Sequence, residues 1–257
     1  MKRNILILLA VIGSTNFVFA WSKSGHDAIA YIAECNLTKK AKNNVEKCLG
    51  GKSIVYFASW MDEYRKTPEY SNTSDWHMTG VDENFICTED MPGRKKQNAA
   101  IEVEKAMKIL KDYKNLDDST VAVNIKYIIH LVGDMHCPVH IYYPGVKMNF
   151  NITLIGSVSS YHHVWDGMVN DISHRWNYTE WQRQLDRYPA KEKKLIMAGT
   201  PREWCHENAV YCRKIYDMAV PDGVYDSDFL NAAHPIAEHQ IVYAGYRLAK
   251  VLNDLFD

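Results

Sequence analysis

Apolar positions recur at helical spacing along almost the whole chain. Between 26 and 36 they fall at Ala28, Ile29, Ile32 and Ala33, and between 97 and 113 at Ile101, Val103, Ala106, Ile109 and Leu110. Steps of three and four residues place such side chains on one face, which predicts amphipathic helices. Residues 119–136 are apolar on most faces and halt before Pro138, the pattern of a buried central helix. Thr38 stands where an N-cap belongs, ahead of a helix that Gly50 and Gly51 end. Further helices are predicted at 179–187, 190–198, 201–219 and 228–255. Alternation is confined to Met148–Ile155, followed by Gly156, and predicts a small hairpin. With no repeat, linker or low-complexity segment in view, the pattern describes one all-α, mostly helical domain.

The first twenty residues fall outside that domain. Lys2 and Arg3 form a cationic head, Ile5 to Ile12 a short apolar run, and Val18-Phe19-Ala20 a small-residue cleavage signal. This reads as a signal peptide removed after Ala20, leaving a domain over 21–257 with Trp21 as its first residue. The apolar run is too short to span a bilayer stably, and no later stretch approaches the ~20 apolar residues a transmembrane helix needs. A secreted or periplasmic protein is expected.

Composition narrows the functional classes. Nearly half the 257 residues, 47%, are hydrophobic, which excludes a disordered chain. Thirty basic residues, Lys2 and Arg3 among them, face 31 acidic ones, so the processed chain is slightly acidic. Proteins that hold long nucleic acid by counterion release are usually basic. If this chain handles nucleic acid, something other than a lysine-rich face must grip the phosphates, and metal ions would serve. The six cysteines (Cys35, Cys48, Cys87, Cys137, Cys205, Cys212) have no Cys-x-x-Cys spacing, so they read as disulfide staples or core thiols. Cys205 and Cys212 lie seven apart in a predicted helix, with Cα atoms ~10 Å apart, beyond disulfide reach. Sequons at Asn36, Asn72, Asn151 and Asn177 would matter only in a eukaryotic host.

The chemistry is carried by His and Asp. His130 and Asp134 are four apart on the central helix and project from one face, with His136, Cys137, Pro138 and His140 following. Such a pair is usually no more than a hydrogen-bonded pair. In an apolar, buried helix, however, an unpaired carboxylate is costly and a cation relieves the cost. His162 and Asp166 repeat the spacing. A third cluster runs Ser59-Trp60-Met61-Asp62-Glu63-Tyr64-Arg65, with Trp76-His77 a short loop later. Asp62 and Arg65 could be an ordinary ion pair on a helix. Asp and His nonetheless both suit zinc, and the sequence offers them in three separate places. Processing at Ala20 would add a free α-amine on Trp21, five residues before His26; with a pKa near 7.7–8.0 such an amine can ligate a metal.

In order and rough spacing, Trp21-x4-His26, Ser59-Trp60-x-Asp62-Glu63-x-Arg65, Trp76-His77, His130-x3-Asp134-x5-His140 and His162-x2-Trp165-Asp166 resemble the zinc-dependent, single-strand-specific nuclease and 3′-nucleotidase family, related in fold to the zinc phospholipases C. The resemblance runs from Trp21 to Gly245-Tyr246-Arg247-Leu248-Ala249. It implies a helical domain with a small β element and three zinc ions. Asp62, His77, His130 and Asp134 would hold the first, and His140, His162 and Asp166 the second. Trp21, through amine and carbonyl, and His26 would hold the third, with Asp134 bridging. A hydroxide shared by two zincs would attack phosphorus in line, oriented by Asp62, while Arg65 stabilises the developing charge. The implied substrates are single-stranded DNA and RNA, cut to 5′-phosphorylated products, with 3′-nucleotidase activity beside. No stable protein partner is implied, and a monomer is expected.

Two segments depart from the family pattern. After the zinc histidine the family carries an aromatic residue and then an Asp that recognise the base; here Met78 and Gly80 stand instead. Met78 offers an apolar platform, whereas Gly80 has no side chain to bond a base, and Asp82 is nearby. The Gly-Gly-Asn segment after the central helix is replaced by Gly145-Val146-Lys147-Met148. A phospholipase C or broad phosphatase on the same cage is the enzymatic alternative. Against the phospholipase stand Asp166, where those enzymes resemble the pattern with Glu, and the Trp-x-Asp-Glu-x-Arg cluster. A non-catalytic zinc-binding module is the other alternative, against which Arg65 argues, since it ligates nothing.

Overall fold

The computed structural model describes residues 21–89, 91 and 98–257; the signal segment read at 1–20 lies outside them. Among the described residues, eleven α-helical segments and six short strands follow in order. Helix α1 is Lys23–Cys35, α2 Lys39–Cys48, α3 Trp60–Tyr64, α4 Ala99–Leu110 and α5 Asp118–Asp134. After these come α6 (Tyr161–His163), α7 (Val169–Ser173), α8 (Tyr178–Leu185), α9 (Ala190–Met197), α10 (Pro201–Cys212) and α11 (Ser227–Phe256). The strands are β1 (Thr79–Val81), β2 (Cys87–Thr88), β3 (Ile141–Tyr142), β4 (Asn151–Leu154), β5 (Ser157–Ser160) and β6 (Val224–Tyr225). The architecture is mostly helical, as the periodicity predicts.

Local chemistry explains the boundaries. Thr38 Oγ1 accepts from Ala41 N at 3.0 Å and starts α2. Gly50 and Gly51 take φ of 65° and 78° just beyond its end, a conformation open to glycine and costly to most side chains. Capping boxes at Asn177–Glu180 and Thr200–Glu203 start α8 and α10. Helix α5 is central: Ile125, Ile128, Ile129, Leu131 and Val132 are all buried, and α1, α3, α4 and α11 pack around it. Helices α1 and α11 meet closely at Gly245, where a Cβ would collide with Ile32.

The predicted hairpin is present as β4 and β5, and begins at Asn151 rather than Met148. Ile155 and Gly156 form its turn, both with positive φ (48° and 77°), the geometry of a two-residue hairpin that follows strand twist. Strand β6 extends this sheet in parallel. A second sheet, in the order β2-β1-β3, is not foreseen in the sequence. Its strands are two or three residues long, too short for alternation to register. Its function is positional. Parallel pairing of Thr79 with Ile141 and Gly80 with Tyr142 holds His77 and His140 side by side.

The six cysteines stand as free thiols, with Cys137, Cys205 and Cys212 buried, so of the two readings, staples or core thiols, no staple is shown. Cys87 hydrogen-bonds to Cys205. Cys212 accepts instead from Gln240 Nε2 at 3.0 Å, away from Cys205 on the same helix.

Candidate metal centre

Four structural elements deliver side chains to one buried point. Helix α5 presents His130 and Asp134 one turn apart, both 0% exposed, with His130 Nε2 3.3 Å from Asp134 Oδ2. The segment leading into β1 brings His77, whose Nδ1 stands 2.8 Å from the same oxygen and 3.2 Å from His130 Nε2. Helix α3 contributes Asp62, with Oδ1 3.8 Å from His130 Nε2 and 3.9 Å from His77 Nδ1. From α1 comes His26, with Nε2 3.4 Å from Asp134 Oδ1 and its ring stacked on that of His130. Asp134 therefore turns one oxygen to the His77–His130 side and the other to His26.

A second cluster adjoins the first. Pro138 ends the course of α5 and opens a 3₁₀ turn, Pro138–His140, which swings His140 back to the centre. Ser160 Oγ caps α6 by accepting from His163 N, and the helix widens to a π turn over Val164–Met168. That widened turn, a distortion frequent at functional sites, carries Asp166. His140 Nε2 lies 3.2 Å from His162 Nε2 and 3.5 Å from Asp166 Oδ1, and His162 Nε2 lies 3.2 Å from Asp166 Oδ2.

The donor sets fit divalent cations. Among the described residues, three groups bring ligand atoms within 4.8 Å of one another: His26 with His130 and Asp134, Asp62 with His77 and His130, and Cys137 with His140 and Asp166. Buried His26 Nε2, Asp62 Oδ1 and Asp134 Oδ1 have no hydrogen-bond partner, a condition that is costly unless a cation or water completes it. His77 Nε2 is buried and unpartnered as well, whereas His130 Nδ1 donates to Ala58 O and His140 Nδ1 to His77 O, both at 2.8 Å. Such outer bonds hold imidazole rings in the orientation that ligation requires.

The charge balance points the same way. Burial raises the Asp134 carboxyl, but His130 and His77 outweigh it and hold the group well below its ordinary range. Burial likewise opposes ionisation of Asp166, and His162 and His140 prevail. Burial, with His130 and Arg65 adding to it, pulls His77 down to about 4 against the opposing effect of Asp134. His130, equally buried, is pushed up to about 9 because Asp134 and Asp62 both face it. The centre therefore contains ionised carboxylates that need positive charge, and histidines that a metal would keep neutral.

Beside these side chains, Arg65 Nη2 sits 3.3 Å from Asp62 Oδ1. Arg65, Met78, His77, His140, Tyr142 and His162 line a cavity of about 460 Å³. Met78 lines this cavity beside His77. Gly80 is covered by Met91, whose side chain occupies the space a Cβ would enter. Asp82 does not reach the centre: its Oδ1 accepts from Asn84 N and Ile86 N at 2.9 Å, and it lines a separate cavity. His136 is fully buried two residues past Asp134; its Nδ1 donates to Val132 O and its Nε2 accepts from Arg247 at 3.0 Å.

A family model for the S1/P1 nuclease matches residues 21–257. The chain belongs to the S1/P1 nuclease family. It is 21% identical to Nuclease S1 of Aspergillus oryzae, with 98% of each chain aligned. It is 23% identical to Endonuclease 4 of Arabidopsis thaliana, across 98% of this chain and 93% of that protein. Identity to Nuclease P1 of Penicillium citrinum is 25%, across 91% and 97%.

One member of the centre escapes sequence reasoning. Cys137 reads from sequence as a staple or a core thiol, yet its Sγ lies 3.4 Å from Asp166 Oδ1. In this S1/P1 family chain, burial drives that thiol well above its ordinary range, and Asp166 adds to the effect. It therefore remains a hydrogen-bond donor to the carboxylate. Its position on the turn between Asp134 and His140 was the available signal. Trp21 is fully buried, and Ser22 N donates to Asp166 O at 2.5 Å, which fixes the start of the described chain against the second cluster.

Proposed function

We propose that this member of the S1/P1 family is an exported zinc-dependent phosphodiesterase that hydrolyses single-stranded DNA and RNA to 5′-phosphorylated products, with 3′-nucleotidase activity beside. The observation that carries the reading is Asp134, whose two oxygens face separate groups of ligand atoms. Asp62, His77, His130 and Asp134 would hold one zinc, and His140, His162 and Asp166 a second. His26 with the Trp21 amine and carbonyl would hold a third, shared through Asp134. The family match that begins at Trp21 supports processing after Ala20.

When bound, zinc supplies Lewis-acid chemistry: acidification of a water and stabilisation of phosphoryl charge. The chain's own residues do the rest. Asp62 Oδ1, buried and without a hydrogen-bond partner, accepts a proton-bearing bond from the attacking water and orients its lone pair toward phosphorus. Arg65 stands beside it and meets the negative charge that builds on the non-bridging oxygens, which its planar fork suits. Met78 gives the leaving nucleoside an apolar surface in the adjoining cavity. Gly80 removes the side chain with which the family's pattern reads the base, so weak base selectivity is expected.

The test is a substrate panel of single-stranded DNA, RNA, 3′-AMP and phosphatidylcholine vesicles, each with and without a zinc chelator. Chelator-sensitive release of 5′-phosphorylated products from the nucleic acids is the expected result. Cleavage of the lipid alone would move the chain to the phospholipase reading. Stoichiometric zinc with no turnover would leave only a metal-binding module.

A further inference from the structure

A phosphodiester carries a nucleoside on each side of its phosphate, and the structure has a cavity for each. The first, walled by Arg65, His77 and Met78, suits the nucleoside whose 3′ oxygen leaves. A second, of about 450 Å³, is walled by Trp21, Asp62, Asp166, Met168, Ile172 and Arg175. The two share no lining residue, yet both are bounded by candidate ligands of the same centre. A 3′-mononucleotide needs only the first. We propose that the second cavity binds the nucleoside on the far side of the scissile phosphate, the one released with the 5′-phosphate, and that Arg175 holds the next phosphate of the strand. This inference rests on the nuclease reading above.

In the reaction, a water oxygen bonds to phosphorus, the bond from phosphorus to the upstream 3′ oxygen breaks, and a proton passes to that oxygen. The phosphate stays attached to the 5′ oxygen of the downstream nucleoside, so this product must be accommodated beside Asp166 and Trp21. Met168 and Ile172 supply an apolar surface there, and Ile172 is 38% exposed, open enough to meet a base. Apolar packing against a base face is indifferent to base identity, as a general nuclease requires.

The charges on this wall single out one cation. Lys23 is engaged by Asp27 at 2.6 Å. Asp171 accepts from Ser24 Oγ at 2.8 Å, and Glu63 adds a second exposed acid. Arg175 makes no hydrogen bond or ion pair among the described residues. It also takes a φ of 50°, a left-handed conformation that L-residues other than glycine rarely adopt. Strain of this kind persists where the surroundings enforce it, often at ligand sites.

The test measures binding rather than turnover. Zinc-loaded protein is titrated calorimetrically with thymidine 5′-monophosphate and with 5′-phosphorylated dithymidine whose internal phosphate carries a sulfur and resists cleavage. The dinucleotide should bind about tenfold tighter, the effect of one charge-assisted phosphate contact. Arg175→Ala should close that gap, and Arg175→Lys should restore part of it. Ile172→Glu should weaken the mononucleotide itself. Zinc content and Tm of each variant check the fold. A gap that persists in Arg175→Ala, or no gap in the native protein, overturns the inference. Arg175-dependent binding by a protein that cuts no nucleic acid would instead overturn the nuclease reading and leave the subsite standing.

Discussion

His26 Nε2 lies 3.4 Å from Asp134 Oδ1, while Oδ2 of the same carboxylate lies 2.8 Å from His77 Nδ1. A single side chain on the central helix thus joins the N-terminal helix to the segment entering the first strand. Because Asp134 faces both ligand groups, Asp134→Asn should lose more than one equivalent of zinc, whereas His162→Asn should lose about one. Elemental analysis of the purified variants decides this. Equal losses would remove the shared role from Asp134.

Arg65 contacts a proposed ligand without being one. Arg65→Ala should keep its zinc and lose ~10²–10³ in kcat, the range seen when one donor to transition-state charge is removed. Arg65→Lys should recover only part, since an ammonium cannot reproduce the fork. Parallel assays of metal content and single-stranded DNA cleavage test the separation. Zinc loss matching the activity loss would make Arg65 a structural support of Asp62.

Gly133 is required by the approach of α1 to α5. A Cβ there would stand 2.9 Å from His26 Nδ1 and 3.1 Å from His26 Cε1. Gly133→Ala should therefore displace His26, lose the zinc proposed for the Trp21–His26 site, and cost about 1–3 kcal/mol by overpacking. Metal content and thermal unfolding would show both effects. Unchanged values would mean that the helices can part without consequence for the site.

Much of this arrangement is legible in the sequence because it is periodic. The apolar faces of α5 and α11, the caps at Thr38, and the four-residue spacing of His130–Asp134 and His162–Asp166 are local signals. What is hidden is nonlocal. The β1–β3 pairing joins Thr79 to Ile141 through strands too short to alternate, yet it sets His77 against His140. The π turn that carries Asp166 departs from the helical period on which sequence reading relies. Residue type alone assigns Cys137 to the staples or the core, and only the turn that carries the chain from Asp134 to Pro138 places it beside Asp166.

Asp186 ties four helices together, and its effect depends on pH. It accepts from Asn36 Nδ2 at 2.9 Å, Gln182 Nε2 at 3.0 Å and Tyr246 OH at 2.7 Å, and pairs with Lys193. Burial raises its carboxyl, but Lys193 and the other donors prevail and leave it below the ordinary range. A depressed carboxylate contributes stability above its unfolded value of ~3.9 and loses it as pH falls through the folded value. Asp186→Asn should thus lower Tm most near neutral pH, with the difference shrinking below about pH 4. A difference independent of pH would contradict the ionic account.

The central claim is that these buried His and Asp side chains hold zinc and that the zinc cuts nucleic acid. The most direct measurement strips the protein of metal, titrates zinc back, and follows cleavage of single-stranded DNA at each addition. Cleavage should be absent from the stripped protein and reach a plateau near about three equivalents, one per proposed site. Full cleavage before any zinc is added, or saturation with zinc without cleavage, would contradict it.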